Sequence, residues 1–371
     1  MKLQESSAGF RLTYEKKTWK INQNKLKKMK KNLFLLLFIP SVLFSQENIK
    51  FSETITTEDL EKHLTILASD SLEGRETGKK GQKMAADYIM NHFKSIGVPP
   101  YQKNTYYQKF RVKNGRHMCK CDDCDTDFLK KMLGKNKYIK GENVLAFIEG
   151  TDLKEELVII TAHYDHLGIH EDKIFNGADD DGSGTVAALE IAEAFMLAKK
   201  DGNGPRRSIL VMCVSGEEKG LLGSKYYTEK PIYSLDKTVA NLNIDMIGRL
   251  DDWHENGDYV YLIGADMLSQ ELHDISEQVN EEFIGLDLDY TFNAEDDPNR
   301  YYYRSDHYNF AKNNIPVIFY FNGVHEDYHK TTDTIDKIDF EKVKKIARLV
   351  FLTAWELANR DERIILNEVE D

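Results

Sequence analysis

The sequence predicts an α/β fold: a mixed, mostly parallel central sheet with helices on both faces. Three observations predict it. Residues 157–162 (LVIITA) and 209–214 (ILVMCV) are unbroken apolar runs rich in β-branched residues, the mark of strands buried on both faces. Segments with apolar residues at helical spacing alternate with the strand runs. Histidines and carboxylates stand just past the C-terminal ends of several runs, the edge of an open α/β sheet where sites assemble.

In chain order, residues 57–67 carry Leu60, His63, Leu64 and Leu67 on one helical face. Residues 69–78 form a loop rich in glycine and helix-capping residues. It leads to a helix over 81–93, with Ala85, Ala86, Tyr88, Ile89 and Phe93 as its apolar side, stopped by Gly97, Pro99 and Pro100. Residues 106–112 alternate like a strand, and 143–150 read as another. The run 157–162 ends in His163-Tyr164-Asp165-His166-Leu167-Gly168. A loop of three aspartates between glycines (177–184) then precedes a helix over 185–199. The run 209–214 ends in Ser215-Gly216-Glu217-Glu218, and a strand over 238–244 ends in Asp245-Met246-Ile247-Gly248-Arg249. Residues 259–263 and 315–321 are further strands, 269–282 a helix, and 340–358 a long closing amphipathic helix.

The 371 residues suit one large domain with modest insertions. Hydrophobic content of 41% and charged content of 30% place it in the globular class. The net charge of −12 is uneven: residues 1–45 carry +8, the remainder −20. A body this acidic argues against nucleic acid or an anionic membrane as partner. Residues 29–45 have the layout of a secretory signal, with basic Met29-Lys30-Lys31, an apolar run from Leu33 to Phe44, and Ser45. The run is too short to span a bilayer. The expectation is therefore an upstream extension over 1–28, a cleaved signal over 29–45, and one exported domain over 46–371. That domain is periplasmic or secreted, with no stable membrane insertion after cleavage. Residues 102–142 form a cysteine-containing insertion. Its Cys119, Cys121 and Cys124, with His117, match a Cys3His zinc pattern, but no paired spacing accompanies them, which favours a local disulfide or spectator thiols. Cys213 reads as a buried hydrophobe.

Asp179, Asp180 and Asp181 repel one another and disfavour a helix or strand interior. One use for them is a cap on the following helix; the other is a metal. Joint placement favours the metal. His163, Asp180, Glu218, Asp245 and His329 come from five loops, and two imidazoles with three carboxylates suit zinc. One bridging carboxylate plus two ligands per ion builds a pair that clamps a hydrolytic water.

The ordered motifs HYDH, GADDDGSG, GEEKGLLGS, NIDMIGR, SDH and DYHKTTDTIDK resemble the di-zinc aminopeptidases of peptidase family M28, over about residues 72–338. The resemblance implies a zinc-dependent exopeptidase-like three-layer sandwich, two Zn2+ per chain, and hydrolysis of N-terminal residues from peptides with a free N-terminus. By it, Asp180 bridges the metals, His163 and Asp245 complete one site, and Glu218 and His329 the other. Asp165 would hold His163 in its metal-binding tautomer. Glu217 would be the general base toward a metal-bridging water, and Tyr328 would hydrogen-bond the oxyanion. Asp306 and His307 line the site. Asp180→Asn is expected to abolish both metal sites, and Asp181→Asn to spare them.

Tyr301-Tyr302-Tyr303-Arg304 reads as an aromatic surface strand edge, with a border of the cleft as the alternative. His325-Glu326-Asp327-Tyr328-His329 also matches H-E-x-x-H. That motif needs a helix, and this stretch follows a turn signal and enters poor helix formers. The competing functions are a glutaminyl cyclase-like single-zinc acyltransferase, a carboxypeptidase or dipeptidase on the same core, and a degenerate binding domain. His163 with Asp165 argues against the first, and the complete ligand set against the last. The N-terminal expectation is checked by intact mass of the cell-made protein: a chain beginning after Ser45 agrees, and one beginning before Met29 contradicts it.

Overall fold

The computed structural model describes residues 48–101, 104–113, 138–294 and 296–368. The signal-like segment and the cluster of Cys119, Cys121 and Cys124 lie outside the described residues. The chain divides before Phe51, and the fold is that of the unit from Phe51 onward.

The strands are β1 (Tyr107–Lys113), β2 (Tyr138–Ile148), β3 (Leu153–His163), β4 (Gly168–His170), β5 (Lys173–Phe175), β6 (Arg207–Val214), β7 (Thr238–Ile244), β8 (Tyr259–Ile263), β9 (Asp287–Asp289) and β10 (Val317–Phe321). Eight form one sheet in the order β1-β2-β6-β3-β7-β10-β8-β9, and β4 with β5 makes a separate hairpin. The four central strands, β6, β3, β7 and β10, run parallel. β2 and β8 flank them antiparallel. The sheet is therefore mixed and mostly parallel, as the buried runs predict.

Alternation along β3 and β6 shows why those runs are apolar apart from Thr161, whose hydroxyl is paired with Asn241 and Asn243. Val158, Ile160, Ile209 and Val211 enter one core; Leu157, Ile159, Leu210 and Met212 enter the other. The first core is roofed by α1 (Thr57–Leu67), α2 (Lys80–Ser95), α3 (Gly184–Lys200), α5 (Gln270–Val279) and α7 (Phe340–Asn359). On the opposite face lie α4 (Leu222–Glu229) and α6 (His307–Ala311), through Tyr227 and Phe310. Polar caps start several helices: Thr56 accepts from the Asp59 amide, Ser269 from Leu272, and Asp339 from Lys342.

The chain leaves β3 toward β6 on one side and later fills β7 on the other. The strand order therefore reverses at β3, and a crevice opens beyond the C-terminal ends of β6, β3, β7 and β10. Arg75 braces this edge from below. Its buried guanidinium donates to the carbonyls of Tyr164, Leu67, Asn176 and Gly177, tying the loop after β3 to the loop before α3. Four elements are absent from the sequence reading: the β4–β5 hairpin, edge strand β9, α4 and α6. Each is eight residues or fewer, too short for a periodic pattern to register.

The closing helix contains a buried lysine. Lys342 is 1% exposed, and its Nζ has no hydrogen-bond partner among the described residues. Its Nζ rests 3.2 Å from the centroid of the Tyr259 ring, whose partner His254 stacks at 3.4 Å. Burial lowers its pKa from 10.5 to about 7. The folded state thus disfavours the protonated form. The penalty is full below about pH 7 and is relieved as pH rises toward 10.5. The ring face offsets part of it, by about 1–2 kcal/mol. Lys342→Met should therefore stabilise the fold by roughly 2–3 kcal/mol at pH 6, with the gain vanishing above pH 10.5. Urea unfolding across pH checks this; a variant less stable than the parent at pH 6 contradicts it.

Candidate metal centre

Five strand-end or loop segments converge in the crevice. His163 is the last residue of β3, and Asp245 follows β7 directly. Asp180 comes from the turn over Ala178–Ser183 that enters α3. Glu217 and Glu218 follow β6, and Tyr328 and His329 lie in the loop after β10.

The three aspartates divide their work. Asp181 Oδ2 accepts from the His163 amide, and its Oδ1 accepts from the amides of Gly184 and Met246, at 2.9–3.1 Å. Asp179 Oδ1 accepts from the Gly248 amide at 2.6 Å and from the Ser183 hydroxyl. Asp180 alone turns its carboxylate into the crevice. Its Oδ1 lies 3.3 Å from His163 Nε2, which also stands 3.4 Å from Asp245 Oδ1. Its Oδ2 lies 3.1 Å from His329 Nε2, which stands 3.4 Å from Glu218 Oε2. Among the described residues, two groups have ligand atoms mutually close enough to share an ion: His163, Asp180 and Asp245; and His166, Asp180 and Glu218.

The donor set fits zinc. Imidazole nitrogens and carboxylate oxygens converge, all from buried or half-buried residues. His166 Nε2 is buried with no hydrogen-bond partner among the described residues. Burial pushes the Asp180 carboxyl up, yet His166, His163 and His329 hold it well below the ordinary carboxylate range. Burial and Asp180 likewise push Glu218 up, while His329 and His166 bring it down to about 2. Glu217, without such partners, is raised by burial and by Glu218, Asp245 and Asp306, against the pull of His163.

The sequence profile of peptidase family M28 matches residues 143–354, more than half the chain. The chain belongs to peptidase family M28. A probable leucine aminopeptidase from Arthroderma otae is 28% identical over 74% of this chain and 74% of its own length. Among solved structures, the LapA aminopeptidase of Legionella pneumophila superposes with a TM-score of 0.64 at 23% identity, covering 86% of this chain and 75% of that one. BSAP, a zinc aminopeptidase from Bacillus subtilis, gives 0.62 at 18% identity, covering 82% and 96%. These two likenesses concern the fold.

In this M28 peptidase, two features differ from the sequence expectation. His163 Nδ1 is 3.0 Å from the backbone carbonyl of Asp165 and 3.8 Å from its carboxylate. The carbonyl thus holds the ring, while the Asp165 carboxylate accepts from the Thr77 hydroxyl and the Glu217 amide. His166, which no motif argument singled out, places Nδ1 2.9 Å from Glu218 Oε1. Its position three residues past the strand-end His163 was the available signal. Asp306 is buried against Ser224 and, through burial, raised to about 7. His307 stacks on Phe319 at 4.7 Å. The H-E-x-x-H stretch is not helical: His325 faces Asp179 at 3.2 Å, and Glu326 is exposed. Tyr328 stacks on His329 at 3.9 Å and lines a pocket with Asp180, Glu217, Asp245, Met246 and Phe321.

Asp180→Asn should leave the fold intact and remove zinc from both sites. Asp181→Asn should retain zinc but lower stability by about 1–3 kcal/mol, because an amide nitrogen then faces backbone N–H groups. Zinc analysis with thermal unfolding checks both; a folded Asp180→Asn protein holding full zinc contradicts the assignment.

Proposed function

We propose that the chain is an exported di-zinc aminopeptidase that removes N-terminal residues from peptides. The observation that carries the reading is Asp180, with one carboxylate oxygen toward His163 and the other toward His329. His163 and Asp245 would hold one ion, Glu218 and His329 the other, with Asp180 shared. When bound, zinc acidifies water and polarises a carbonyl.

The chain's own groups supply the remaining chemistry. Glu217 borders the pocket beside Glu218, where its carboxylate collects the proton of the attacking water and returns it to the leaving amine. The Asp165 carboxylate, accepting from the Glu217 amide, fixes the backbone of that base. Tyr328 stands on the pocket wall, so its phenol can donate to the developing oxyanion. The carboxylate-rich floor favours a free α-amine over a blocked one. A single-zinc cyclase would have no use for the second face of Asp180. Export rests on the signal-like residues 29–45, and we assign residues 46–371 to one peptidase domain. No helix among the described residues is long and apolar enough to cross a membrane.

An aminoacyl reporter panel, free and N-acetylated, tests the reading. Free-amine substrates should be cleaved, chelation should abolish cleavage, and zinc should restore it. Glu217→Gln should lose roughly 10²–10⁴-fold in kcat, while Glu326→Gln should match the parent. Equal cleavage of acetylated substrates, or loss confined to Glu326→Gln, contradicts it.

A further inference from the structure

Arg304 is the arginine that lines the catalytic pocket, where the other charged lining groups are Asp180, Glu217, Asp245 and His329. Its placement is built. It follows the single turn Tyr301–Tyr303, and its guanidinium lies 4.9 Å from the Tyr301 ring centroid. The next residue, Ser305, donates to Asp245 Oδ2 at 2.6 Å and accepts from Asn243 at 2.9 Å. The arginine is thus tethered one residue from a proposed metal ligand.

The guanidinium has no carboxylate partner among the described residues, although the body of the chain is strongly acidic. Arg206, Arg207, Arg249 and Arg360 each pair with an Asp or Glu. Arg304 instead remains exposed beside the Tyr301 ring, with the Tyr301 phenol rather than a carboxylate as its hydrogen-bond partner. A planar fork of donors matches a carboxylate in bidentate fashion.

We propose that Arg304 is a specificity residue that binds a substrate carboxylate close to the scissile bond. This rests on the aminopeptidase reading above. A peptide held by its α-amine at the carboxylate floor directs its remaining chain out past the pocket wall. The C-terminus of a tripeptide lies only about 7 Å beyond its first peptide bond, so short peptides present such a group. An acidic side chain at the first residue presents the same chemistry.

The test compares Leu-Gly-Gly with Leu-Gly-Gly-amide, and leucyl with glutamyl p-nitroanilide, on zinc-loaded parent, Arg304→Gln and Arg304→Lys. The parent should favour the free acid, or the glutamyl reporter, by about 10-fold in kcat/KM, expressed in KM. Arg304→Gln should bring that ratio near one, and Arg304→Lys should keep part of it. Preference in the tripeptide pair assigns the C-terminus; preference in the reporter pair assigns the side chain. Calorimetry on Glu217→Gln, with and without Arg304→Gln, should show the same ratio in Kd for the peptide pair or for the glutamyl and leucyl reporters. A parent that cleaves the leucyl reporter without either preference overturns this inference alone. Equal loss on all substrates in Arg304→Gln does the same. A parent that cleaves none of them overturns the aminopeptidase reading and this inference with it.

Discussion

Backbone amides held by buried carboxylates organise the centre. Asp181 gathers the amides of His163, Gly184 and Met246, joining the end of β3, the start of α3 and the segment after β7. Asp179 adds Gly248. Asp333, from the loop ahead of the closing helix, accepts from the amides of Asp179 and Asp180. Charge-assisted bonds of this kind are about twice as strong as neutral ones, and an unpaired buried carboxylate would cost several kcal/mol. The network therefore fixes where three segments meet. It also consumes the neighbours of Asp180, leaving that side chain to face the crevice.

The sheet topology makes such a junction possible. Four parallel strands deliver their C-terminal ends to one edge, and the reversal of order at β3 keeps neighbouring loops from filling it. Arg75 reaches the same junction from the loop before α2. Its positive charge lies near Asp333, Asp165, Asp180 and Asp181, so it relieves part of the repulsion among the carboxylates while satisfying four backbone carbonyls.

The fold was legible where burial writes continuous signals. The runs that became β3 and β6 have no polar side to hide, and the closing helix shows its apolar stripe over twenty residues. The long elements therefore stand close to where the sequence places them. The helix expected over 269–282 ends its regular part at Val279, then opens into a wider turn over Asn280–Ile284. α4 was hidden because its first residues, Leu222 and Gly223, belong to the Gly-rich stretch after β6. The ligand candidates were legible because strand-end placement and residue type coincide. Asp333 and the Asp165 carbonyl were not, because the Asp333 carboxylate holds backbone amides and the Asp165 carbonyl is itself backbone, and no side-chain spacing announces a backbone contact. Tyr301 and Arg304 belong to a turn on the pocket wall rather than a strand edge, a placement set by the Ser305–Asp245 hydrogen bond.

Placing one carboxylate oxygen in each of two ligand groups is the central claim, and the proposed reaction depends on it. Diffraction from zinc-grown crystals, collected on both sides of the zinc absorption edge, tests it most directly. The account predicts two anomalous peaks flanking the Asp180 carboxylate, one beside His163 and Asp245, the other beside Glu218 and His329. A single peak, or peaks that do not share Asp180, would contradict it.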